Sequence, residues 1–186
     1  SKYLGRPPVL SYASYCLDNW YLIDKNKKIS LNNVALINNF LGGVDEDWFV
    51  TIHVCIEDAA SEAVRSTIAL VGETSDSKIE THLKNILGSL EKVNSIFKRM
   101  PEKCDPYIYY HRVRPYIFGW KNNPDLPKGL IYDGFYKNKP QQFRGETGAQ
   151  SSIIPLLDAL FDVKHKKDSL RDYLEEMLLY LSLIHI

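Results

Sequence analysis

The chain is poor in cysteine: Cys16, Cys55 and Cys104 are scattered, odd in number and free of any Cys-x-x-Cys spacing. Such a set frames neither a disulfide scaffold nor a thiolate metal site, and it suits a reducing, cytoplasmic compartment. An excess of either charge is also missing, because 23 Lys and Arg face 23 Asp and Glu. That balance offers no basic groove to a nucleic acid and no attraction to anionic lipid. No stretch reaches the roughly 18 apolar residues that a spanning helix needs, and no charged-then-apolar leader opens the chain, so no membrane partner is expected. Gly-x-Gly-x-x-Gly after a strand, a phosphate loop, Gly-x-Ser-x-Gly and His-Glu-x-x-His are all lacking. Their absence removes support from the common nucleotide, hydrolase and metalloprotease chemistries.

What is present is an apolar, tyrosine-rich chain of 186 residues, with 45% hydrophobic residues and 12 tyrosines against 3 tryptophans. That length supports one domain or a piece of one. Both ends read as cut: the first residue is Ser1, and the run Met177–Ile186 stops in mid-pattern.

Hydrophobic spacing predicts a mostly helical architecture. Val9, Tyr12, Ala13, Cys16, Leu17 and Trp20 predict a first helix over about 8 to 22, and Leu36 to Leu41 closes on Gly42-Gly43, a helix-stop signal. Asp45, Glu46 and Asp47 then supply a cap and an acidic first turn for a helix over 45 to 71, with a small-residue middle at Ala59-Ala60-Ser61. A third helix opens near Ser75-Asp76, carries Ile79, Leu83, Ile86, Leu90, Val93 and Phe97 on one face, and is blocked by Pro101. Asp105-Pro106 opens a fourth that runs toward Gly119, with a kink or early end expected at Pro115. From 121 to 148 the chain is rich in Gly, Pro and Asn and reads as one long loop, of the kind more often functional than idle. Helices return at about 150 to 161 and 168 to 181, and no internal repeat occurs.

Two local features could carry chemistry. His53 interrupts the apolar face of the 45 to 71 helix, one turn after Phe49, so an imidazole and a ring point toward whatever that helix covers. A core histidine bonded to a backbone carbonyl is the plain alternative. His53 and Glu57 could also place two metal ligands on one face, but no third ligand is evident. In Tyr109-Tyr110-His111-Arg112-Val113-Arg114, one turn joins aromatic rings to a guanidinium, with Tyr110 and Arg114 on one face. Such a pair suits the carboxylate and ring of an aromatic amino acid; a solvated arginine beside packing tyrosines is the alternative.

The run Arg114-Pro-Tyr-Ile-Phe-Gly-Trp-Lys-Asn-Asn-Pro-Asp-Leu-Pro-Lys-Gly-Leu-Ile-Tyr-Asp-Gly-Phe135, followed by Phe143-Arg-Gly-Glu-Thr-Gly-Ala-Gln-Ser-Ser152, resembles the indoleamine 2,3-dioxygenase family. Pro7-Pro8-Val-Leu-Ser-Tyr-Ala13 and Asn19-Trp20 extend the likeness upstream. The resemblance implies an all-α haem-binding fold, here incomplete: residues 1–180 as part of the large haem and substrate domain, residues 181–186 as a truncated or non-native end, and the small N-terminal domain and the proximal-ligand helices absent. It implies haem b as cofactor, L-tryptophan and dioxygen as reactants, ring opening to N-formylkynurenine, and a monomer at full length.

The roles it carries over are specific. Phe49, Tyr109 and Tyr110 would line the substrate pocket, the last two where mammalian members have phenylalanines. Arg114 would pair with the substrate carboxylate. His53 would stand on the distal face as a catalytic group, bonding the indole nitrogen or the oxygen. Gly145, Glu146, Thr147 and Gly148 would form the small-residue loop over substrate and haem, with Thr147 keeping a hydroxyl and Glu146 replacing a glycine. No metal ligand is assigned, because the proximal histidine would lie beyond residue 186, and neither His165, in a solvated turn, nor His185 matches it. Two further readings remain open: a haem protein of this fold that stores oxygen, and a helical scaffold without haem.

Overall fold

The computed structural model describes residues 7–180. The expected all-helical character holds, since the only sheet among the described residues is a two-stranded one.

The first element differs from expectation. Only a π-helical turn, Ala13–Leu17, forms where a helix over 8 to 22 was predicted, and the chain then extends into β1, Trp20–Leu22. β1 pairs antiparallel with β2, Val34–Leu36, so the stretch before Gly42-Gly43 is also extended. Asparagine side chains explain the change. Asn19 Nδ2 donates to the carbonyls of Tyr15 and Asn38 at 3.1 and 2.7 Å, and Asn19 Oδ1 accepts from Asn38 N at 2.9 Å. Asn33 Oδ1 accepts from Asp24 N at 2.8 Å. These side-chain bonds, most of them to residues distant in the chain, offer the backbone an alternative to the helical ladder.

The helix α1, Val44–Leu70, follows Gly42 and Gly43, whose φ angles of 76° and 94° turn the chain into it. Its acidic first turn does more than face the helix dipole. The Glu46 carboxylate is fully buried and accepts hydrogen bonds from the backbone N–H groups of Phe40, Leu41 and Gly42, each at 2.9 Å, and from the Tyr15 hydroxyl at 3.0 Å. α2, Asp76–Phe97, turns back along α1. The small residues expected to admit a neighbour do so: Ser89 Oγ donates to Ala59 O at 2.6 Å and accepts from Ala63 N at 3.3 Å, over a fully buried Ala60. Only part of the apolar face of α2 is covered, with Ile86 buried and Leu83, Leu87 and Phe97 exposed.

The helix from Asp105 starts as expected, with Asp105 Oδ1 accepting from Tyr107 N and Ile108 N. It is built in three pieces: α3, Pro106–Ile108, a π-helical turn, Tyr109–Val113, and α4, Arg114–Ile117. Pro115 has no N–H to give the preceding turn, and its ring crowds the carbonyl four residues back. The widened turn upstream accommodates that defect, with Arg114 N bonding to Tyr109 O, instead of a kink or end at Pro115. α5, Ile153–Phe161, and α6, Ser169–Leu178, complete the described chain. The core gathers Tyr12, Tyr15 and Cys16 against Trp48 and Ile52 of α1 and against Tyr109, Val113 and Ile117.

The long loop is ordered by its own pairing. Trp120 N bonds to Phe143 O at 2.8 Å, Leu130 and Gln141 exchange two backbone bonds, and the rings of Tyr132, Tyr136 and Phe143 cluster between them. The chain thus doubles back, and Gly145 N and Glu146 N bond to the carbonyls of Phe118 and Ile117 at 3.0 and 2.7 Å. A Cβ at Gly145 would collide with the Ile117 carbonyl, which is why only glycine fits there.

Candidate functional site

Doubling back sets residues 145–148 beside the end of α4 and the middle of α1. Gln150, fully buried, locks this arrangement: its Nε2 donates to Gly145 O at 2.8 Å, and its Oε1 accepts from Tyr12 N at 2.8 Å. Thr147 is held from the other side by the Tyr173 hydroxyl of α6, 3.1 Å from its own.

The residues read from sequence meet here. His53 Nδ1 lies 2.8 Å from the Phe49 carbonyl, which can only accept, so Nδ1 carries the proton and Nε2 presents a lone pair. Burial holds this imidazole below its ordinary pKa, opposed in part by the bond to Phe49. The plain alternative thus holds at Nδ1, which is bonded to a backbone carbonyl. The Phe49 ring packs 4.2 Å from the imidazole and stacks on Tyr109 at 3.9 Å, while Tyr12 meets His53 edge-on at 5.9 Å. Gly148 is exposed in front of Nε2, where an added Cβ would stand 3.5 Å away.

Arg114 is partly buried, and its guanidinium makes one long contact, 3.5 Å, to the Glu146 carbonyl. It takes no ion pair among the described residues. Tyr110 is not brought to this cluster: it is 66% exposed and stands edge-on to His111. Of the four loop positions, Gly145 and Glu146 are buried, whereas Thr147 and Gly148 are accessible. Burial raises the Glu146 carboxyl to about 7, opposed only in part by Arg114. Glu57, considered with His53 as a metal pair, instead accepts from the Tyr12 hydroxyl at 2.9 Å. Among the described residues no cluster of three His, Cys, Asp or Glu could hold a metal ion. His165 pairs with Asp158 at 2.7 Å on the surface, and His185 lies outside the described residues.

Sequence reasoning missed Tyr12, Tyr15 and Gln150 as members of this cluster. Gln150 stands in the quoted Gln-Ser-Ser motif and Tyr12 in the quoted Pro7–Ala13 stretch, which were their signals; for Tyr15 the sequence offered only a surplus of that residue type.

The His53 Nε2 has the Phe49 ring beside it and the exposed Gly148 in front of it. Arg114, without an ion pair among the described residues, stands beside this cluster through its contact to the Glu146 carbonyl. The family model for indoleamine 2,3-dioxygenase matches residues 1–186, and the chain belongs to that family. Indoleamine 2,3-dioxygenase 1 of Rattus norvegicus is 39% identical over 190 residues, covering 100% of this chain and 46% of the relative. The indoleamine 2,3-dioxygenase of Saccharomyces cerevisiae is 32% identical over 204 residues, covering 98% and 44%, and indoleamine 2,3-dioxygenase 2 of Homo sapiens 28% over 184 residues, covering 94% and 45%. The chain therefore spans under half the length of these relatives.

Proposed function

We propose that residues 1–180 are the distal part of the haem and substrate domain of a dioxygenase that opens the indole ring of L-tryptophan to N-formylkynurenine. One observation carries the reading: Phe49, His53, Tyr109, Arg114 and the 145–148 loop, widely separated in sequence, converge on one place. Haem b, when bound against Phe49, His53 and Gly148, supplies the iron that activates dioxygen for addition across the indole C2–C3 bond.

The chain's own residues bind and orient. Arg114 has a free planar fork for the substrate carboxylate. Phe49 and Tyr109 offer aromatic faces to the indole, once their 3.9 Å stack opens to admit it. Neutral His53 accepts the indole N–H at Nε2, which fixes the ring's rotation over the cofactor. Gln150 and Tyr173 fix the strap that carries Thr147.

Arg114→Ala in the haem-loaded full-length protein should raise KM for tryptophan by about 30-fold or more, the worth of a charge-assisted pair, with kcat less affected. Unchanged KM would remove Arg114 from the site. A second reading, oxygen binding without turnover, draws on the closed Phe49–Tyr109 stack, which fills the substrate's place. A Soret band and a reversible oxygen complex without N-formylkynurenine would favour it.

A further inference from the structure

One face of α6 is turned to the strap that carries Thr147. Tyr173, Glu176, Met177 and Tyr180 recur at the helical spacing, and each reaches residues 144–150. The Glu176 carboxylate accepts from Arg144 Nε at 2.8 Å and from Lys121 Nζ at 2.7 Å, beside a fully buried Met177. The Arg144 guanidinium in turn lies over the Tyr173 ring, 5.1 Å from its centre. The ring is held on its face while its hydroxyl reaches Thr147 at 3.1 Å.

A hydroxyl has one hydrogen to give and two lone pairs to fill. Thr147 Oγ1 accepts from the Tyr173 hydroxyl and, at 3.4 Å, from Ala149 N. Both lone pairs are taken, and among the described residues no acceptor takes the Thr147 hydrogen. Accepting two bonds also polarises the Thr147 O–H, which strengthens its own donation. The neighbours of Thr147 say what that hydrogen can meet. The carbonyl of Glu146, just before it, lies 3.5 Å from the Arg114 guanidinium, and Gly148, just after it, stands in front of His53 Nε2. Thr147 itself is only partly buried. An anion held by the Arg114 fork has a hydroxyl donor within one residue of it.

Building on the dioxygenase reading, we propose that Tyr173 is a positioning residue: by donating to Thr147 Oγ1 it aims the Thr147 hydroxyl as a donor to a carboxylate bound beside Arg114. That carboxylate belongs to the amino-acid substrate or to the edge of the haem; the chemistry recognised is the same. Tyr173 touches neither ligand, and its effect passes through Thr147.

The test uses the full-length protein loaded with haem, as wild type, Tyr173→Phe, Thr147→Val and the double variant. Kd is read by absorbance titration with L-tryptophan and with tryptamine, which lacks the carboxylate. Haem release is read by transfer to apomyoglobin, for haem and for its dimethyl ester. Tyr173→Phe keeps the ring over Arg144 and should weaken one carboxylate contact by about 3- to 10-fold, the worth of a hydrogen bond. A loss confined to L-tryptophan, seen also as a raised KM with kcat less affected, assigns the carboxylate to the substrate. Faster release confined to the free-acid haem assigns it to the cofactor. In the Thr147→Val background, Tyr173→Phe should add nothing to either loss. Losses shared by tryptamine or by the ester, additive losses in the double variant, or no loss at all overturn the positioning role. A carboxylate-dependent loss in a protein that turns over no indole supports it while sinking the dioxygenase reading, and turnover of tryptophan without such a loss does the reverse.

Discussion

Glu46 and Glu146 are the same residue type, both sealed inside the chain, and they live in opposite circumstances. Glu46, at the start of α1, collects three backbone N–H groups and the Tyr15 hydroxyl. Glu146, in the strap that closes on α4, collects none with its carboxylate. The first converts a chain reversal at Phe40–Gly42 into a fixed structure, since the bonds it makes have no other acceptor. The second makes no hydrogen bond with its carboxylate, and its burial pushes its carboxyl up to about 7. A satisfied carboxylate holds the scaffold together; the orphaned one, next to an aromatic cluster and Arg114, does not.

Replacing each residue should break the resemblance between them. Glu46→Ala strands four donors at once, and a loss of about 3–5 kcal/mol in unfolding free energy is expected from urea denaturation of the full-length protein. A loss under about 1 kcal/mol would mean that water replaces the carboxylate easily, and the contrast would fail.

Glu146→Gln should act in the opposite direction and only at higher pH. Its folded pKa, about 7, lies above the ordinary 4.5. The native state therefore holds an extra proton between those values, and stability falls as pH rises through 7. Above that window the ionised carboxylate costs about 3 kcal/mol. The glutamine variant should thus be more stable than wild type by about 2–3 kcal/mol at pH 8 and nearly equal at pH 5. The same difference at both pH values would show that the effect is not ionisation.

The two regions also differ in how far the sequence reveals them. α1 and α2 were legible because their apolar residues recur with the helical period and meet only ordinary packing. Residues 8 to 22 carry the same spacing but extend into β1, because Asn19 and Asn33 bind backbone groups from a distance that no local pattern records. Pro115 announced trouble correctly, yet where the helix would yield depended on the tertiary wall behind Tyr109 and Val113. At the site, Phe49, His53, Arg114 and the 145–148 loop followed from motif and resemblance. That Glu146 would be buried without a partner, and that Tyr110 would face outward, did not, since both depend on how the strap folds onto α4.

The smallest effect gives the sharpest form of the comparison, because it removes one oxygen atom on each side. Tyr15 and Tyr109 are both buried, 1% and 8% exposed, but the Tyr15 hydroxyl donates to Glu46 at 3.0 Å while that of Tyr109 has no partner. Tyr15→Phe deletes a charge-assisted bond and leaves the carboxylate three other donors, so it should cost about 1–2 kcal/mol. Tyr109→Phe deletes only a desolvated, unmade hydroxyl and preserves the ring stacked on Phe49. It should be neutral or stabilising by about 1 kcal/mol in the ligand-free protein. Matching losses for the two phenylalanine variants without ligand would show that Tyr109 is bonded in the folded protein, and the division between scaffold and site would have to be drawn elsewhere.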